Sequence, residues 1–176
     1  MHELTYSENG YLLTIRESSG ADRSYDIVLS GKLHGCYMLE PKVKLLAVFE
    51  SHRQRLYIED VQGNGYKTGI QAQGIGTLLF NTALQLFKRD YPSEMLVYGE
   101  LSEIGDPTDP VLAKECKDRR ESYWSSFGFT IGSGGYTGTT ITAVLGELKP
   151  KTQDVRIHGR FPRYVALERF IDANCP

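Results

Sequence analysis

The residues best suited to chemistry stand at Gln71-Ala72-Gln73-Gly74-Ile75-Gly76-Thr77, where glycines and a threonine open the apolar stretch GIGTLLFNTALQLFKRDYP. At the start of a helix, consecutive backbone N–H groups and the helix dipole hold a phosphate without a full countercharge. Gly74 and Gly76 would let phosphates approach the backbone closely, and the Thr77 hydroxyl would add a donor. Two other phosphate loops are excluded nearby. A Walker A loop fails because Tyr66 rather than Gly precedes Lys67-Thr68, and Val61 stands where its first Gly should be. A dinucleotide fingerprint fails because Gly63, Gly65 and Gly69 have the wrong spacing. Just upstream are the neighbouring carboxylates Glu59 and Asp60, which strand alternation would send to opposite faces, so that only one could reach a given cleft. Both are equally readable as solvated charges at a strand end.

The elements that must position these residues change character near residue 70. From Tyr11 to Val61, β-branched and aromatic residues are interrupted by turn formers, predicting an antiparallel meander with strands at 11–16, 25–30, 43–50 and 55–61 and a short one at 36–39 before Pro41. After Gly74, the apolar residues Ile75, Leu78, Leu79, Ala83, Leu86 and Phe87 recur at helical spacing, with Lys88 and Arg89 suiting the C-terminal dipole and Pro92 ending the helix. A strand at 95–101, a second helix at 111–127 closed by Gly128, and strands at 129–131 and 141–148 follow. A short helix is expected at 162–171. The organisation is one domain over 1–148 and a basic tail over 149–176 that packs on it or extends it.

The chain has 176 residues, 40% of them hydrophobic and 24% charged, which excludes disorder and suits a single packed core. A net charge of −2 leaves no global basic field for nucleic acid. No signal-peptide pattern and no apolar run near the ~20 residues that span a bilayer is found, so a cytoplasmic location without membrane association is expected. Cys36, Cys116 and Cys175 form no paired motif, and His2, His34, His52 and His158 show no metal-ligand spacing, so no metal is expected.

The Gln71–Gly76 segment resembles the Gln/Arg-x-x-Gly-x-Gly/Ala pyrophosphate loop of the GNAT superfamily of acetyl-CoA-dependent N-acetyltransferases. Trp124-Ser125-Ser126-Phe127-Gly128-Phe129 resembles that family's aromatic-x-x-x-Gly-Phe motif at the end of its second helix. The resemblance covers about Leu56 to Leu148 and implies an α+β fold in three layers, with a mixed, mainly antiparallel central sheet and helices on both faces. It also implies acetyl-CoA as co-substrate, bound through Gln71, Ala72, Gln73, Gly74, Ile75, Gly76 and Thr77, with its pantetheine arm along 56–62 and the Val61 N–H facing the thioester oxygen. Acetyl would pass directly to a primary amine. Deprotonating an alkylammonium at pH 7 costs about 4 to 5 kcal/mol, and the resemblance assigns that work to Glu59. The family's usual acid is a Tyr where this chain has Trp124; Tyr123 is adjacent but about 100° round the helix, and is equally readable as a packing aromatic. Trp124 would then pack on the cofactor arm. Lys117 and Arg120 replace family residues that contact the cofactor, and the hairpin at 17–23 replaces the family's N-terminal helices, leaving the acceptor pocket to the C-terminal tail or to a second subunit of a homodimer.

Between Glu94 and Asp109 stand five carboxylates and no Lys or Arg. The resemblance implies that this strand edge and loop, with Glu100 and Glu103 as substrate-binding candidates, border the acceptor side of the cleft, where such a rim would attract a small cationic amine acceptor; ordinary solubilising charge is the alternative. Lys149 to Arg163 carries five Lys and Arg against Asp154. It reads as a surface tail, or as a contact for a cofactor phosphate or for tRNA, the one nucleic acid kept as a partner. Two other functions stay open: acetylation of a protein or aminoacyl-tRNA, and a catalytically silent acyl-CoA-binding domain.

Overall fold

A computed structural model describes residues 2–8, 11–33, 36–62, 74–103 and 106–151. Eight strands form one sheet in the order β1-β2-β3-β4-β5-β6-β8-β7. They are β1 His2–Glu8, β2 Tyr11–Glu17, β3 Ser24–Leu33, β4 Cys36–Glu50, β5 Arg55–Gln62, β6 Leu96–Glu100, β7 Thr130–Ser133 and β8 Thr139–Val144. Helix α1 is Ile75–Asp90, α2 is Pro110–Ser125, and a 3-10 turn, Leu145–Glu147, follows β8. Only β5 and β6 pair in parallel, so the sheet is mixed and mainly antiparallel, as expected of an α+β domain.

The two helices among the described residues lie on one face of this sheet, so the expected layer on the other face is not seen there. The strand order gives the reason. Because β6 and β7 both run antiparallel to β8, β5, β6 and β7 point the same way. The crossovers β5-α1-β6 and β6-α2-β7 step in the same direction across the sheet, so right-handedness sends both helices to the same side. Phe80 of α1 accordingly packs on Trp124 of α2, ring centroids 5.1 Å apart, and on Phe127 at 4.6 Å.

The covered face carries the core, with Leu13, Ile15, Tyr25, Ile27, Leu29, Leu45, Ala47, Leu56, Ile58, Val97 and Ile141 buried beneath Leu79, Leu84 and Phe87 of α1. Burying each such side chain stabilises the fold by roughly 1.5–3 kcal/mol before entropy is counted. On the opposite face, Tyr57 and Tyr98 stack at 5.8 Å with the Arg55 guanidinium 4.1 Å from the Tyr98 ring centre, and Leu96 and Val144 are exposed. At the C-terminal end of α1, the Tyr25 hydroxyl donates to Asp90 at 2.7 Å. Arg23 and Arg89 each bridge Asp90 and Glu17, so α1 is fastened to β2 and β3.

Three features depart from expectation. Strand β1 was not anticipated, and Cys36–Leu39 and Val43–Glu50 form one strand through Pro41. Pro41 is tolerated because the β3–β4 register shifts there, pairing Gly31 with Met38 but Leu29 with Val43, while β5 begins to pair only at Lys44. The expected last strand, 141–148, stops at Val144 and closes with the 3-10 turn. The expected helix at 162–171 lies outside the described residues, whereas the hairpin at 17–23 forms, with the Ser18 N–H donating to the Ser24 carbonyl at 3.0 Å.

Candidate functional site

Strand β5 contains a bulge at the first candidate residue. Ile58 pairs with Ala47 and Asp60 pairs with Leu46, so Glu59 is an extra, unpaired residue. The alternation used to separate Glu59 from Asp60 therefore does not hold across this point. Glu59 is exposed, and Val61, paired with Leu45, packs partly against the core.

The bulge coincides with a parting of strands. Parallel pairing between β5 and β6 ends at Ile58 with Gly99, yet β5 runs on to Gln62. Among the described residues, Glu59 to Gln62 has no strand on its β6 side, so backbone groups pointing there are left for another partner.

Helix α1 begins with Gly74 in the left-handed region, φ 81°, a conformation that glycine adopts without steric cost. No side chain caps this end and no acidic residue occupies its first turn. The first backbone bond of the helix runs from the Leu78 N–H to the Gly74 carbonyl at 2.9 Å, leaving the N–H groups of Ile75, Gly76 and Thr77 without partners among the described residues. Thr77 is buried at the same turn. The positive end of the helix dipole and three donors with no partner among the described residues thus converge at this turn. Gln71, Ala72 and Gln73 lie outside the described residues.

The C-terminal end of α2 brings Tyr123 to this turn. A Cβ built on Gly76 would stand 3.3 Å from the Tyr123 hydroxyl, so the missing side chain at Gly76 makes room for the tyrosine. That hydroxyl is sealed from solvent and has no hydrogen-bond partner, and burial pushes its pKa upward. Trp124 does not have the free face expected of a cofactor contact. It is 5% exposed, with its ring within 5.1–5.2 Å of Phe80, Tyr123 and Phe129, and it belongs to the core.

The acidic rim is also reassigned. Glu100 accepts from the Tyr98 hydroxyl at 2.9 Å and from the Tyr136 and Thr137 N–H groups at 2.8 and 3.4 Å, which lower its pKa. It fastens the β7–β8 turn to β6. Glu103 lies 3.9 Å from the Lys117 ammonium, and Arg120 grips Asp106 with two bonds of 2.5 and 2.7 Å. Of the five carboxylates, Glu103 and Asp106 are thus countered from α2 and Asp109 caps that helix, and Arg120 is occupied rather than available to a phosphate.

One cation near the head of α1 escaped the sequence reading. Lys151 is anchored by its backbone to the buried Asn81 of α1, through bonds of 2.6 and 3.0 Å, and its ammonium sits 4.9 Å from the Tyr123 ring centre and 4.4 Å from that of Phe127. Only its place in a basic tail hinted at a role. The structure sets Tyr123 of α2 against the turn that holds Gly74, Gly76 and Thr77, with Lys151 on the face of the Tyr123 ring; Glu59 and Val61 lie on β5, and Glu100 and Glu103 are engaged elsewhere.

No helix among the described residues is long and apolar enough to cross a membrane. No family model and no curated protein matches this chain. Among solved structures, it is similar to nourseothricin acetyltransferase at 12% identity and a TM-score of 0.40, over 80% of this chain and 95% of that one.

Proposed function

We propose that the protein is an acyltransferase that uses acetyl-CoA and delivers the acetyl group to a primary amine. The observation that carries this reading is the glycine-headed start of α1, with three N–H groups that have no partner among the described residues, in the next described element after a strand that parts from its parallel neighbour. The first feature fits a pyrophosphate and the second fits an extended amide-bearing arm lying along β5. The orphaned Tyr123 hydroxyl, set against Gly76, is a further feature of a turn built to receive a ligand oxygen.

Acetyl-CoA supplies an acetyl thioester. This chain's residues would align it, with β5 backbone from Glu59 onward binding the arm and the Val61 N–H stabilising charge on the carbonyl oxygen. Glu59, lifted out of the ladder by the bulge and exposed to solvent, would take the proton from the incoming ammonium, directly or through water. The Tyr123 hydroxyl faces Gly76 rather than a second reactive group. A thiol with a pKa near 8.5 leaves as thiolate at pH 7 for a cost of about 2 kcal/mol, so transfer would proceed without a tyrosine acid.

The acceptor is proposed as an amine of small size. The paired carboxylates of Glu103 and Asp106 weaken the case for strong attraction of cations, so charge is not proposed as its main selector. The test is calorimetric titration with acetyl-CoA followed by thiol release on a panel of polyamines, aminoglycosides, arylamines and peptide amines. Saturable binding and amine-dependent release support the proposal; absence of binding overturns it.

A further inference from the structure

We propose that Tyr123 and Lys151 complete the phosphate site at the head of α1, the tyrosine as a hydrogen-bond donor to the phosphate oxygen and the lysine as its countercharge. This deepens the acyl-CoA reading and rests on it for the identity of the ligand, but not for the chemistry of the site.

Three independent features converge here. The first is the row of N–H groups from Ile75 to Thr77, which have no partner among the described residues. The second is the Tyr123 hydroxyl, buried, unpartnered and directed at Gly76 in the same turn. A buried hydroxyl without a partner forfeits about 1–3 kcal/mol, and a ligand oxygen would recover it. The third is Lys151, whose ammonium lies on the Tyr123 and Phe127 rings and has no carboxylate within ion-pair distance among the described residues. Burial lowers its pKa, so a neighbouring anion would stabilise its charged form.

The arrangement is held from three elements. Tyr123 is fixed by packing on Trp124 and Phe127, at 5.1 and 5.2 Å between ring centres. Lys151 is fixed by Asn81, itself 3% exposed, while the Lys88 ammonium donates to the Leu148 carbonyl at 2.7 Å, so that 148–151 runs along α1 toward its start. A cation over the face of a phenol draws electron density from the ring and makes its hydroxyl a stronger donor. Tyr123 and Lys151 therefore act on the same anion, one through the other.

The test is calorimetric affinity of the full chain for inorganic pyrophosphate, CoA and phosphate-free pantetheine, in wild type, Tyr123→Phe and Lys151→Gln, with melting temperatures measured alongside. Expected is about tenfold weaker binding of CoA and pyrophosphate by Tyr123→Phe, in line with loss of a hydrogen bond to a charged group. Lys151→Gln should weaken both as well and flatten their salt dependence. Pantetheine affinity should not change, and Tyr123→Phe should melt no lower than wild type because its orphaned hydroxyl is gone. Undiminished affinity in both folded variants overturns the assignment. Wild type that binds pyrophosphate but not CoA supports this site and overturns the acyl-CoA reading, whereas wild type that binds neither overturns both.

Discussion

The Tyr123 hydroxyl fills the space that a side chain on Gly76 would need, with 3.3 Å between the oxygen and the position of the missing Cβ. A helix start and the end of a second helix are thereby fitted to one another at a single contact. Gly76→Ala gains about 0.5–1 kcal/mol of helix propensity but must push the hydroxyl aside. In the Tyr123→Phe background the push disappears. The alanine is therefore expected to be more stabilising in that background than in wild type, with a coupling of about 1 kcal/mol or more, measured by urea denaturation of the four proteins of the cycle. Purely additive effects would contradict the contact.

The cluster of Glu17, Arg23, Arg89, Asp90 and Tyr25 makes stability depend on acid. Burial acts to raise the Asp90 pKa, but hydrogen bonds from Arg89 and Tyr25 and the charges of Arg89 and Arg23 prevail, and it lies below its ordinary value. A depressed carboxylate pKa contributes stability above the unfolded value of about 3.9, and that contribution is lost as pH falls through the folded value. Asp90→Asn should therefore cost about 3 kcal/mol near neutrality, as breaking a buried pair does, and progressively less as pH falls below that unfolded value. Thermal denaturation across pH 3–7 checks this, and an equal deficit at both ends would contradict it.

Glu100 is expected to hold the β7–β8 turn. Glu100→Ala removes the acceptor of the Tyr136 and Thr137 N–H groups, so those amides should exchange with deuterium at least tenfold faster while the core strands are unchanged. Gly135→Ala should perturb the same turn, since its φ is +71° and a Cβ there would come within 2.7 Å of the Glu100 carboxyl carbon. Unaltered exchange in Glu100→Ala would return this carboxylate to the list of acceptor-binding candidates.

At the bulge, Glu59→Gln should lower acetyl transfer most at low pH, where the amine is hardest to deprotonate, while leaving acetyl-CoA affinity unchanged. Rates measured from pH 6 to 9 separate this from a positioning role, for which the loss would be equal at every pH.

Much of this was legible from local pattern. The apolar recurrence from Ile75 to Phe87 placed α1 to within a residue or two, and the strands of the meander were found because alternation and turn residues are short-range signals. Strand β1 was missed because its residues, HELTYSE, carry few apolar side chains and owe their pairing to β2. The bulge at Glu59 depends on the register of β4, which nothing within Ile58-Glu59-Asp60-Val61 encodes. The acidic loop looked unbalanced because its countercharges, Lys117 and Arg120, come from the next helix. Tyr123 was identified as a candidate, but its direction toward Gly76 follows from how α2 crosses α1, which a helical wheel drawn for one helix does not contain.

The chain has one tryptophan, Trp124, and it is in ring contact with Tyr123. The native protein therefore carries a single-site optical reporter next to the turn where an anion would bind. Its emission should be blue-shifted, as befits an indole enclosed by Phe80, Tyr123 and Phe129, and should move to the red when α2 separates from α1. Energy absorbed by the neighbouring tyrosine passes to the indole, so occupancy of the turn and melting of the helix pair can be read in one unlabelled sample.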